Sequence, residues 1–278
     1  MPGDWVRYWR ARSLPMEAMH ARFTTHVYHR HSHESYSLGI TEEGAQEFRC
    51  RHGRHVSGPG MVMLFNPDDP HDGHAADPGG FTYRMVHVWP DLMASLVGEV
   101  TGRADGLPLF PVPVAQDAAL ARALLRLATT LEPDDEARSE LARYERLVDV
   151  TRHVARHASL ARPAPRLPPA DVADRVRDLI HDAGVTSPGR AQLTMDDLAE
   201  AAGCSRYVAY RAFRGAFGMA PSDYQRQLRI RAARRSLAAG TAPAIAAAEA
   251  GFADQAHLTR WFRRYYGVTP GVFQAAIS

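Results

Sequence analysis

Lysine is absent from this 278-residue chain, and all 33 cationic side chains are arginine. A single-residue bias of that kind reflects a GC-rich coding sequence and by itself points to no function. Cysteine is nearly absent too. Cys50 and Cys204 are too few for a disulfide framework. No apolar run approaches the roughly 20 residues needed to span a bilayer, and the arginine-containing N-terminus lacks an apolar signal segment. These absences lead us to expect a reduced, cytoplasmic protein. Nor is there an excess of one charge, since the net is +2. Its distribution is uneven. Residues 166–278 hold 15 Arg against 10 Asp plus Glu, a net of +5, whereas the preceding part holds 18 against 21, a net of −3. With 45% apolar and 23% charged residues the chain is globular, long enough for two ordinary cores, with a basic half suited to an anionic partner.

What is present is a repeat. AGCSRYVAYRAFRGAFGMAP at 202–221 and AGFADQAHLTRWFRRYYGVTP at 250–270 superpose Arg211 on Arg260, Phe213 on Phe262, Arg214 on Arg263, Gly218 on Gly267 and Pro221 on Pro270. In the first copy Ala209, Ala212, Phe213 and Ala216 recur at the spacing of one apolar helix face, while Tyr207, Tyr210, Arg211 and Arg214 fall on the opposite face. The second copy puts Leu258, Trp261, Phe262 and Tyr265 inward and Ala256, Thr259, Arg260 and Arg263 outward. Ser205 and Asp254 are N-cap residue types, Gly218 and Gly267 stand at the expected helix ends, and Pro221 and Pro270 open the next helices. Thr194 with Asp197, and Pro243 with Ile245, signal a preceding helix in each copy, and Gly203 and Gly251 supply the turns. A short helix, a glycine turn and a second helix bearing outward arginines predict a helix-turn-helix, whose second helix fits the major groove. Solvated amphipathic helices are the alternative. Arginines at equivalent outward positions in both copies suit guanine edges and phosphates better.

The last 100 or so residues resemble the double helix-turn-helix domain of AraC/XylS-type transcription regulators, most specifically along GFADQAHLTRWFRRYYGVTPGVF. The resemblance implies that a long helix joins the motifs, and Asp223–Leu237 is uninterrupted by glycine or proline. It implies base-reading positions at Tyr207, Tyr210 and Arg211 in the first motif and at Gln255, Ala256, Thr259 and Arg260 in the second. Arg206 and His257 belong to the same expected DNA-facing set, and Arg214, Arg263 and Arg264 are expected to meet phosphates. Two tyrosines on the first reading face depart from the usual small or polar pattern.

Between Phe23 and Val88 the pattern changes to short apolar alternations, as in Tyr36, Leu38 and Ile40. Turn signals at Glu43-Gly44, His52-Gly53, Gly58-Pro59-Gly60, Asn66-Pro67-Asp68 and Pro78-Gly79-Gly80 predict an antiparallel barrel or sandwich. Twelve of the 14 histidines precede residue 166. His31 and His33, two apart, are expected to project to one side of a strand, with His71 after a strand end and His87 on a later strand. Together with GPGMVMLFNPDDPHDG at 58–73, this region resembles the cupin-like sensor domain of the same regulators. Metal-binding cupins place a glutamate four or five residues after the second histidine, where this chain has Ser37 and Leu38. Three readings stay open: His31, His33 and His71 as metal ligands; His31, His33, His71 and His87 as polar groups of a small-molecule pocket with Tyr36, Phe65 and Trp89 as walls; or solvated histidines at a strand entry.

A helical stretch at Gln116–His157 carries Leu141, Tyr144, Val148, Thr151, Ala155 and Ala158 at alternating spacings of three and four, a seam suited to pairing in a homodimer or to packing on the barrel. ARPAPRLPP at 161–169 reads as a semi-rigid linker. The expected architecture is therefore α+β and multidomain. A cupin-like β-barrel with trailing helices occupies 1–160, and an all-α domain of two helix-turn-helix motifs joined by a long helix occupies 170–278. The expected function is a non-enzymatic, sequence-specific regulator of promoter DNA under a small-molecule effector. By family analogy it is an activator partnered by RNA polymerase. Competing readings are a metal-dependent cupin enzyme with a DNA-binding appendage, and a regulator whose barrel binds a protein.

Overall fold

The computed structural model describes residues 3–11, 14–51, 53–102, 107–132, 140–159, 170–183 and 193–277. The chain divides into two compact units, Met1–Ala164 and Pro165–Ser278. The proposed linker at 161–169 lies outside the described residues.

The first unit is antiparallel throughout. Strands β1 (Trp5–Arg10), β2 (Met16–Phe23), β4 (Tyr36–Gly44), β7 (Val62–Phe65), β9 (Phe81–Val88) and β10 (Val114–Ala115) form a six-stranded sheet in the order β1-β2-β9-β4-β7-β10. Strands β3 (Tyr28–His31), β5 (Gln46–Cys50), β6 (Gly53–Ser57) and β8 (His71–Ala75) form a second sheet in the order β3-β8-β5-β6. His52 of the marked His52-Gly53 turn lies outside the described residues, and the other turns fall where the sequence marked them. Gly44, Gly60 and Gly80 take positive φ, as do Arg51 (55°) and Asp68 (61°), in the left-handed region that tight turns require.

Alternation along the strands gives the large sheet two different faces. On one face Ala18, Tyr36, Leu38, Leu64, Val86 and Val88 are buried against helices α1 (Pro90–Thr101), α2 (Ala118–Thr130) and α3 (Glu140–Val154). The stretch expected to be one helical region is thus two helices. The seam also differs from expectation. The face of α3 that enters the core is Leu147, Val150, Thr151 and Val154, each at 0% exposure, while Leu141 is 65% exposed and Tyr144 and Val148 lie at the flank. Of the predicted stripe, Thr151 is buried and Tyr144, Val148 and Ala158 pack against this core, as the alternative of packing on its own domain expects, while Leu141 is left in solvent. The other face of the sheet carries the histidine site.

Among the described residues the second unit is all-helical: α4 (Ala170–Asp182), α5 (Met195–Ala201), α6 (Arg206–Phe217), α7 (Pro221–Ala238), α8 (Pro243–Glu249), α9 (Gln255–Tyr266) and α10 (Pro270–Ile277). No sequence motif announced α4. It contributes Val176 and Ile180 to the core that holds Leu198, Ala209 and Phe213. The long helix α7 ties both motifs together. Gln225 bonds the backbone N–H and C=O of Leu193 at 3.0 and 2.9 Å, before α5. Further along, Arg229 donates to the Gly251 carbonyl at 3.1 Å, in the turn before α9. Among the described residues no helix is long and apolar enough to cross a membrane.

Candidate functional site

Local signals fix the two arginine-bearing helices. Thr194 and Asp197 form a capping box at α5; Ser205 accepts from the Val208 amide at α6; Asp254 accepts from the His257 amide at α9 at 2.6 Å. Each cap satisfies amides that the first turn leaves unbonded, which stabilises the helix by about 1 kcal/mol. Gly218 and Gly267 close the helices at φ 69° and 74°, with amides bonded to Arg214 and Arg263 carbonyls. Gly203 (φ 66°) and Gly251 (φ 74°) provide the turns, as their sequence positions foretold.

The faces follow. Ala209 and Phe213 in α6, and Leu258, Phe262 and Tyr265 in α9, are buried. Ala216, expected inward, is exposed, and the half-buried Phe217 closes the stripe by packing 4.6 Å from Phe213. A helix turns 100° per residue, so the bulkier neighbour reaches the core instead. Arg206, Tyr207, Arg211, Arg214, Gln255, Ala256, Arg260, Arg263 and Arg264 are exposed, with Tyr210 and Thr259 half-buried. Within α6 the tyrosines brace the arginines. Arg211 lies 5.5 Å over the Tyr207 ring and donates to its hydroxyl at 3.3 Å, and Arg214 does the same to Tyr210 at 6.0 and 3.1 Å. Arg206 pairs with Asp196 of α5 at 2.9 Å. Among the described residues Arg260 and Arg263 form no ion pair. His257 departs from the outward set. It is half-buried and accepts a bond from Trp261 Nε1 at 3.1 Å, with Phe252 edge-on at 5.4 Å, so it belongs to the packing of α9. Trp261 in turn is contacted by Arg226 of α7 (3.9 Å) and Arg264 (4.9 Å).

The second cluster lies on the inner face of the large sheet. Glu17, His87, Ser37 and Phe65 stand side by side across β2, β9, β4 and β7, since each pair is in direct register. The next row on that face is Met19, Met85, Gly39 and Met63. A Cβ at position 39 would come within 2.7–2.8 Å of the Met63 and Met85 methyls, so glycine there makes room for both side chains. Farther along, Tyr28 and Tyr83 join their hydroxyls at 2.8 Å. Against the first row the small sheet sets His31 and His71, Cα partners in β3 and β8.

His33 lies beyond the end of β3, so strand alternation does not orient it; the turn into β4 does. Even so, its ring centre is 4.9 Å from His31, 5.2 Å from His71 and 4.7 Å from His87. His71 stacks on Phe65 at 4.2 Å, nearly parallel. Nδ1 of His31 faces the His29 carbonyl at 2.7 Å, Nδ1 of His71 faces the Asp69 carbonyl at 2.8 Å, and Nδ1 of His87 meets Ser37 Oγ at 2.9 Å. Burial, reinforced by neighbouring positive or ionisable groups, lowers His71 and His87 to about 4, so both rings are neutral at pH 7. The turn that carries His71 is braced by Arg51. Its guanidinium makes a two-bonded pair with Asp69 (3.1 and 2.7 Å) and also reaches the Phe110 and Pro111 carbonyls.

Tyr36 is not brought to this cluster. One residue before Ser37, it points to the helix side, where its hydroxyl donates to the Pro108 carbonyl at 2.8 Å and its ring meets Phe110 at 5.7 Å. Trp89 is the half-buried N-cap residue of α1. Glu17 went unnoticed in the sequence because β2 did; it is buried and accepts from the Tyr8 hydroxyl.

A β domain with polar groups converging between its sheets, joined to two capped helix-turn-helix motifs, is the make-up of a DNA-binding transcription regulator with a ligand-binding domain. Comparison with known proteins agrees. Residues 13–147 match the AraC-like ligand binding domain and residues 198–276 match a helix-turn-helix domain. The HTH-type transcriptional regulator YbfI of Bacillus subtilis (strain 168) is 30% identical over 246 residues, 88% of this chain and 86% of that protein. In fold the chain is similar to apo ToxT of Vibrio cholerae strain SCE256, with a TM-score of 0.55 at 9% identity over 100% of this chain and 99% of that one. Wild-type ToxT with an unsaturated fatty acid bound gives 0.50 at 9% identity, over 99% and 96%. The chain belongs to the AraC/XylS family of transcription regulators.

Proposed function

We propose that this protein is a one-component, non-enzymatic regulator in which a small molecule held between the sheets of residues 1–160 controls how α6 and α9, within 170–278, occupy promoter DNA. The observation that carries this reading is the repeat itself: two helices, each capped and closed alike, with Arg211 and Arg260 exposed at equivalent positions. Arginine offers a planar, permanently charged fork that fits guanine edges and phosphates. Arg260, Thr259, Gln255 and Ala256 read bases in the second motif, and Tyr207, Tyr210 and Arg211 in the first. Arg206, Arg214, Arg263 and Arg264 meet the backbone. A helical connector such as α7 keeps the two reading helices at a fixed spacing for successive major grooves, roughly 34 Å apart.

Control requires no covalent step. The effector must bind one arrangement of the chain better than another, because equal affinity shifts nothing. A homodimer paired through the exposed side of α3 around Leu141, and activation through contact with RNA polymerase in the cytoplasm, complete the reading. Footprinting of the full chain on genomic promoter fragments tests it. Discrete protected sites whose affinity falls steeply with salt are expected, since phosphate neutralisation releases counterions. Absence of protection even at low ionic strength would overturn it.

A further inference from the structure

We infer that His31, His33 and His71 form a binding site for a divalent transition-metal ion of the zinc class, with His87 placed beside them to fill or flank the fourth position. One nitrogen from each of the three rings lies within 4.8 Å of the others, with His31 and His71 buried and His33 partly accessible. A tetrahedral ion at about 2.0–2.1 Å from nitrogen needs donor atoms roughly 3.4 Å apart. Binding an ion there requires the three rings to draw together from their present separation.

Ring orientation argues for a cation more than the cluster does. A backbone carbonyl only accepts, so the Nδ1 atoms of His31 and His71 that face such carbonyls carry the proton. In the neutral ring Nε2 is then a Lewis base. Two such atoms, with His33 between, suit a metal ion and disfavour a carboxylate or phosphate, which would meet lone pairs instead of N–H groups. The carbonyls are themselves held. Asp69 O belongs to the turn braced by the Arg51–Asp69 ion pair at 2.7 Å, so His71 is oriented through two successive interactions. Ser37 Oγ does the same for His87 at 2.9 Å. Such support around donor atoms is what a metal site needs to hold its geometry. Glu17, in register with His87 and buried, sets the one carboxylate of that row beside the cluster. Thiolate is not required, and imidazoles alone fit zinc, nickel, copper or iron better than magnesium or calcium.

The site stands or falls apart from the DNA reading, because its test needs no promoter. Full-length protein freed of metal with a chelator is titrated with Zn²⁺ by calorimetry, and with Co²⁺ by visible absorption. One equivalent per chain is expected, with ligand-field bands of a four- or five-coordinate nitrogen site. His71→Ala should weaken Zn²⁺ binding by more than about 100-fold, and Ser37→Ala, which leaves all donors in place, by about 10-fold. His33→Gln, at a partly accessible ring, repeats the donor test with less risk to the core, and circular dichroism reports the fold of each variant. His74→Ala, on a ring 44% exposed and outside the cluster, should bind as the parent does. No saturable binding by the parent chain, or unchanged binding in folded His33→Gln and His71→Ala, overturns the site and leaves only surface histidines as adventitious ligands.

Discussion

The two halves of this molecule place their chemistry on opposite sides of their surfaces. In the β unit the reactive groups point in: His31, His71, His87, Glu17 and Ser37 are all below 7% exposure, between sheets. In the helical unit they point out. Phe213, Phe262 and Leu258 fill the interior at 0%, while the arginines of α6 and α9 stand in solvent. A ligand the size of a few atoms can be enclosed, so the site proposed for it gathers its groups in a core, where burial keeps His71 and His87 neutral at pH 7. A duplex cannot be enclosed, so its reader must carry charge outside on a core that needs no polar partners. The β unit thereby accepts a costly interior to gain a site, and the helical unit does not.

The largest consequence concerns the apolar interior. Phe262→Ala should destabilise the helical unit by about 3–5 kcal/mol, as cavity-forming substitutions of phenylalanine do, and abolish DNA binding with it. Phe213→Ala should match it. Denaturant unfolding measures both, and a loss below about 1 kcal/mol would show that the arginine faces do not depend on this core.

Acid separates the halves next. His71 and His87 drop from 6.5 to about 4 through burial. Below pH 6.5 the unfolded chain takes up protons that the folded rings refuse, so stability is full above 6.5 and is lost as pH falls toward 4. Each ring contributes on the order of 3 kcal/mol at most. Melting of the chelator-treated protein should show the β unit losing stability across that window while the helical transition changes less. Parallel decline of both transitions would break the contrast.

How far this contrast was legible in the sequence follows the range of the forces involved. Caps, glycine stops and the inward faces of α6 and α9 were readable because each depends on residues within one or two turns. Ala216 was placed inward although Phe217 fills that space, and the Trp261 bond that holds His257 half-buried gave no signal in the sequence. Strand β2 escaped notice because both its faces are covered: Glu17, Ala18 and Met19 are all buried, so alternation is erased. Tyr36 was assigned to the histidine pocket although Ser37, the next residue, faces His87; only register with β9 distinguishes the two. The convergence of His31 and His33 was foreseen, but through a strand that ends at His31.

On the outer surface the two motifs are themselves unequal. Arg211 is engaged by Tyr207, whereas Arg260 has no such partner among its described neighbours. Arg260→Ala should therefore lose about 1–3 kcal/mol on the cognate site and relax base preference there. Arg211→Ala should lose less, because contact with DNA must first displace a bond the helix already supplies. Binding to a panel of single-base site variants measures this, and equal losses would erase the distinction between the motifs.

The smallest effect tests the line between reading and anchoring. Arg263 lies on the same exposed side as Arg260 but one turn nearer the C-terminus of α9, where the unbonded carbonyls favour a cation. A groove-reading helix enters by its N-terminal end, so this later position is the one proposed to meet the backbone. Arg263→Ala should weaken all sequences alike and reduce the slope of log affinity against log salt by about 1, with base preference intact. If the substitution instead changes which bases are preferred, α9 lies deeper or at another angle in the groove, and the separation of roles along it has to be redrawn.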